Sequence, residues 1–243
     1  MNVEIDINFD FRTDANGKDP DSHSPTLKRY HKHLWTKPLP SGELFFLEDA
    51  EPKNYLVFSG SSGQHFLTSD SIANSYSMRK GKISLVISSL EPSTAEDFRR
   101  INSTIGANIL FPGKRVGGKA TINGARGFHY YIQDRFDLTL ECIRRHYLSI
   151  ENPLDTTLRI YKSFFDLFEN FKNYVDFFLL NDLVSLDYSE VKLFLPVERL
   201  FDESPLPRDT GSYMKYYENS INFTQARNKR ISSWVNLNRT KQD

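Results

Sequence analysis

Between positions 134 and 146 the chain reads Asp134-Arg-Phe-Asp-Leu-Thr-Leu-Glu-Cys-Ile-Arg-Arg-His146. On a helix, spacings of three and four put the carboxylates of Asp134, Asp137 and Glu141 on one face. Acids held beside arginines suit general acid–base or metal-assisted chemistry on a phosphoryl group. The same spacing is also that of an ordinary helix with Asp134 as its cap and an ion pair from Glu141 to Arg145. A glycine-rich turn, Phe111-Pro-Gly-Lys-Arg-Val-Gly-Gly-Lys119, comes shortly before. Backbone without Cβ atoms can approach a phosphate closely, and arginine forks bind its oxygens in pairs. Lys114, Arg115, Arg126, Arg135 and Arg145 are therefore the expected ligands of an anion. Asp137 and Glu141 are the acid/base candidates, and nucleic acid or a nucleotide is the expected partner.

A second group lies near the start. His31 shares a helical stripe with Leu27, Tyr30 and Leu34, which suits a packed imidazole. Beside Arg12, Lys18 or Lys37 a neutral imidazole could equally act as a general base, so His31 joins the acid/base candidates and Arg12 and Lys37 the ligands. Asp19, Asp21 and His23 alternate and would share one side of an extended segment, an arrangement open to a divalent metal; turn formation explains them as well. No metal site is assigned, and no phosphate-loop, dinucleotide or paired-cysteine signature is present. The single Cys142 cannot form an internal disulfide and reads as a buried thiol.

The formal charge of zero hides a segregated pattern. Residues 99–150 hold nine basic and three acidic side chains, a net +6, and residues 151–209 hold six and twelve, a net −6. Residues 27–37 hold four basic side chains and no acid. The arginines of the +6 stretch either build the anion site or pair with the acids of the helices packed on them. The competing function is a non-enzymatic interaction or oligomeric module whose charges match a second chain.

These residues need elements to position them. Val3–Phe11 alternates apolar and polar and predicts a half-buried strand. Ser24-Pro25 predicts a helix start, ended by Pro38 and Pro40. Strands are expected at 45–47, 55–58, 65–67 and 83–87, a helix at 93–102, and an exposed turn between Gly106 and Ala125. From Ile132 the apolar period becomes three to four, predicting a helix to Tyr147, helices from 153 to 178 interrupted near Asn170–Asn173, and a last helix over 212–235. Residues 191–197 read as a lone strand or strap. The fold class is α+β, a strand-rich N-terminal half (1–130) packed with a mostly helical C-terminal half (131–243), without a clean linker between them. No apolar run reaches the roughly 18–20 residues that span a bilayer, and Met1–Asp14 lacks the positive start of an export signal. The expected setting is cytoplasmic.

The segments GKDPDSHSPTLKRYHKHLWTKPLPSG at 17–42, KATINGARGFHYYIQDRFDLTLECIRRHY at 119–147 and NYVDFFLLNDLV at 173–184 resemble a bacterial family known as a domain of unknown function. The resemblance spans nearly the whole chain. It implies a soluble intracellular protein forming one unit and brings no reaction, substrate or site residue.

Overall fold

A computed structural model describes residues 4–50, 55–77 and 79–239. Four segments form one antiparallel sheet: β1 (Leu47–Asp49), β2 (Leu56–Gly60), β3 (Gly63–Ser71) and β4 (Asn108–Pro112), in the order β1-β2-β3-β4. The Gly60↔Gly63 pair leaves a two-residue turn between β2 and β3, which sets their register at Phe58↔His65 and Leu56↔Leu67. Pro112 ends β4 on the edge of the sheet, where its missing N–H breaks no ladder.

Two helices precede the sheet, α1 (Pro20–His23) and α2 (Pro25–Trp35), and two lie between β3 and β4, α3 (Lys82–Ser88) and α4 (Pro92–Asn102). After it come α5 (Ile122–Phe128), α6 (Phe136–Tyr147), α7 (Asp155–Ile160), α8 (Lys162–Asp166), α9 (Phe171–Phe177) and α10 (Thr210–Arg239). This is the expected α+β division, with the sheet inside residues 47–112 and helices dominating the C-terminal half. One apolar cluster runs from Phe11 to Val235 and contains Trp35, Phe164, Phe168, Tyr174 and Phe178, so the aromatic run of the second half is core. Among the described residues no helix is long and apolar enough to cross a membrane.

Several local expectations change. Residues 4–10 do not form a strand; Val3 itself lies outside the described residues. Their alternation still sorts burial, with Ile5, Ile7 and Phe9 packed on the core, but no neighbouring strand offers a ladder and Asp10 instead caps a 3-10 turn over Phe11–Thr13. Residues 83–87, expected as a strand, lie in α3, because Ile83, Val86, Ile87 and Leu90 fall three and four apart and face the core. The stretch expected to be turn from Gly106 to Ala125 contains β4 and most of α5. α6 starts at Phe136, not at Asp134, since Gln133 and Asp134 both adopt left-handed backbone (φ +50° and +66°). The helical run from 153 breaks at Tyr161 and again at Asn170, whose side chain accepts from Asn173 N (2.9 Å) to cap α9. Residues 191–197 are a strap, joined to Val184 by one bridge at Val191.

α10 closes the molecule. Tyr216 accepts from Asn74 N and donates to Asn74 O, and Tyr213 donates to Ser75 O (2.8 Å). At Gly106 a Cβ atom would lie 2.5 Å from Thr224 O, so only glycine permits this approach of α10. Arg227 is fully buried, and among the described residues no carboxylate pairs with it. It donates instead to the carbonyls of Phe178, Gly106 and Asn108.

Candidate functional site

The three carboxylates expected to share a helix face are divided among different arginines. Asp134 lies before α6, accepts from Asn74 Nδ2 and pairs with Arg126 (2.9 Å). Asp137 points inward, fully buried, against Arg135 and the backbone N–H of Phe194. Glu141 takes both Arg144 (2.7 Å) and Arg145 (2.8 Å). Arg126 is also fully buried and binds Asp70, Thr139 Oγ1 and Asp134 O. Burial pushes the Asp70 carboxyl up while the Arg126 guanidinium pulls it back. Arg126 and Arg135 are thus buried counter-ions that tie α5 and α6 to β3 and the strap, and Arg145 pairs within α6. Arg12 is held by Asp10 and Glu96. Lys114 and Arg115 remain exposed, with the Lys114 ammonium over the Phe66 ring (4.7 Å), apart from the other expected ligands. The expected site around the glycine-rich turn does not assemble.

His31 is sealed between α2 and β3. The Trp35 indole can only donate, so His31 Nδ1 accepts from it (2.8 Å), and the proton sits on Nε2, which donates to Ser69 Oγ (3.1 Å). Burial, aided by the Arg227 charge, lowers its pKa from 6.5 to about 3. Between those values the unfolded chain carries a proton on His31 that the folded one refuses. The stabilisation is complete above pH 6.5 and is lost as pH falls toward 3, by about 1.4 kcal/mol per pH unit. Comparing urea unfolding of the protein and of His31→Gln from pH 7 to 4 should show this extra acid slope only in the parent; equal slopes would remove the assignment.

Asp19 caps α1, and the His23 ring reaches Asp19 O (3.1 Å) instead of facing a shared cation. Among the described residues no three His, Cys, Asp or Glu side chains are grouped to hold a metal. Burial pushes the Cys142 thiol up, as suits an inert core residue.

A cleft of about 750 Å³ lies elsewhere, between the outer face of α2, the edge of β1 and the last turns of α10. Its making begins at Ser24, whose Oγ accepts from Leu27 N and donates to Asp14. Pro25 then starts a helix that turns Leu27, Tyr30, His31, Leu34 and Trp35 inward. Of the remaining positions, Pro25, Lys28, Arg29, Lys32 and His33 line the cleft. Asp49 on β1 pairs with both Lys28 (2.9 Å) and Lys32 (3.1 Å), and Arg29 has no ion pair among the described residues. The two lysines therefore share the one carboxylate that lines the cleft, and Arg29 stands beside them without one.

Lys37 follows from the turn after α2. Its carbonyl accepts from Phe45 N, and a bridge between Pro38 and Leu44 closes the loop. The ammonium group is 4.6 Å from the Phe177 ring centre, 4.9 Å from Trp234 and 5.1 Å from Trp35, and it donates to Phe177 O. Burial and the charge of Arg227 lower its pKa from 10.5 to about 7, against a smaller upward pull from Asp176. Of the expected ligands, Lys37 alone lines this cleft. Lys28, Arg29, Lys32 and Trp234 were missed; the four bases without an acid over 27–37 were the signal for three of them.

The model of a family of unknown function, DUF6994, matches residues 5–231, which takes in every wall of the cleft except Trp234, Val235 and Asn238. No curated protein and no solved structure matches the chain.

Proposed function

We propose that this chain, which belongs to that family of unknown function, binds a phosphate-bearing ligand with an aromatic part, of the nucleotide class, in the cleft between α2, β1 and α10. The observation that carries the reading is the convergence of Lys28, Arg29 and Lys32 with only Asp49 against them, beside the Trp234 ring. Cations on one helix face supply charge-assisted hydrogen bonds to phosphate oxygens, and an indole offers a flat apolar surface to a base. The concave, charged shape favours this over a flat interaction module. The apolar cluster that includes residues from both ends of the chain favours action as one unit, and a lone buried cysteine suits a reducing cytoplasm.

Titration calorimetry with pyrophosphate and with a nucleoside triphosphate tests it. Lys28→Ala and Lys32→Ala should each weaken binding about tenfold, near 1.4 kcal/mol. Raising the salt should weaken it further, since exposed charges are screened. Affinity indifferent to both substitutions and to salt would sink the reading.

A further inference from the structure

We propose that Lys37 is a nucleophile that forms an imine with an aldehyde or ketone group of the anionic ligand taken by the cleft. The proposal rests on the anion-binding reading above and adds the chemical class of the ligand: a carbonyl compound carrying phosphate.

Lysine attacks a carbonyl only through its neutral amine, and a dry pocket or a nearby cation is what makes that form available at neutral pH. Lys37 has both. The rings of Trp35, Phe177 and Trp234 keep water from its Nζ, an effect that outweighs the attraction of their faces for the ammonium form, and among the described residues its one hydrogen bond runs to the neutral carbonyl of Phe177. The charged and titratable groups around it come from three elements. Arg227 of α10 lies 5.7 Å from the same Trp35 ring and opposes protonation. Asp176 of α9 favours protonation but is held by Lys172. His31 of α2, bonded to the Trp35 indole, is neutral. The contrast within the cleft is direct, because Lys28 and Lys32 each pair with the Asp49 carboxylate and Lys37, among the described residues, contacts none.

The step balances without an oxidant or reductant. The Nζ lone pair forms a bond to the carbonyl carbon as the C=O π pair moves to oxygen, and one N–H proton passes from Nζ to that oxygen, giving a carbinolamine. Loss of the second N–H proton and of hydroxyl as water leaves the C=N bond. Amine and carbonyl thus yield imine and one water. Lys28, Arg29 and Lys32 would hold the phosphate while the carbonyl end enters the aromatic cage.

Pyridoxal 5′-phosphate serves as the probe on the whole protein, with cyanoborohydride to reduce the imine to a stable amine and peptide mass mapping to find it. At pH 7 Lys37 should be labelled at least about tenfold faster than any other lysine. Its rate should be half-maximal near pH 7, and both removal of the phosphate (pyridoxal) and excess pyrophosphate should slow it about tenfold. Lys37→Arg should abolish the dominant label; should that variant fail to fold, the labelling map of the parent protein decides alone. Label spread over Lys28, Lys32, Lys162 and Lys172, or a rate that climbs toward pH 10, overturns the proposal. Pyrophosphate binding without labelling at Lys37 overturns the imine and leaves the anion site; selective labelling that neither phosphate nor pyrophosphate affects keeps the nucleophile and overturns the anion site.

Discussion

Asp137→Asn is expected to remove about 3–5 kcal/mol of unfolding free energy, because it leaves the buried Arg135 guanidinium without its counter-charge. Both side chains are fully out of water. Asp137 accepts from Arg135 Nε (3.1 Å) and Nη2 and from Phe194 N (2.7 Å), so each of its partners is a donor. An asparagine amide fits the space but turns its own NH2 toward one of them. Arg135 meanwhile spans to Pro205 O (3.0 Å) and Leu195 O (2.7 Å), so the same pair pins the strap that crosses α6. Urea unfolding measures the loss, read as a lower midpoint at unchanged slope. The double change Arg135→Met/Asp137→Leu should recover only part of it, since it leaves no orphaned charge but strips the partners of Pro205 O, Leu195 O and Phe194 N. A single variant within 1 kcal/mol of the parent would show that the pair is not what holds the strap. Any loss of binding or activity in Asp137→Asn has to be read against this unfolding.

Arg227→Met should cost roughly 3 kcal/mol. The carbonyls of Phe178, Gly106 and Asn108 lose their only guanidinium donor, at roughly 1–3 kcal/mol each, and the relief of an unpaired buried charge offsets part of that. Burial already lowers the Arg227 pKa to about 9, which is still above neutrality, so the charge persists. Arg227→Lys should fare little better, because one ammonium cannot span carbonyls on both α9's end and the turn before β4. Thermal unfolding measures the effect on stability. A second readout is electrostatic: without this cation, the pH midpoint of Lys37 labelling should move up from near 7. A parent-like melting temperature in Arg227→Met would refute the three-carbonyl grip, and an unmoved midpoint would refute its hold on Lys37.

What could be read from the chain alone follows the reach of each interaction. The start of α2 is written in adjacent residues, Ser24 and Pro25, and the sequence reading and the structure coincide there. The break before α9 is likewise local to Asn170. A strand needs a partner, and nothing within Val3–Phe11 says whether one will be near, so alternation predicted burial correctly and a ladder wrongly. Charges behave the same way. Arg126 and Arg135 were open either to an anion or to the acids of residues 151–209, and the structure pairs them with Asp70, 56 positions away, and Asp137, two residues on. The cleft joins Lys37 to Trp234, and no pattern in a single sequence links positions so far apart. The four bases of 27–37 were visible; that they would line a concave surface was not.

The placement of α10 bears on how the chain is made. This helix leaves the ribosome after every element it closes upon, and its contacts with residues 74–75 and 104–108 span some of the largest sequence separations in the molecule. Until Tyr213, Tyr216 and Arg227 emerge, the sheet lacks one wall and the Gly106 and Asn108 carbonyls lack their guanidinium partner. Closure of the sheet therefore waits on α10, and until that helix docks the apolar face it covers stays exposed.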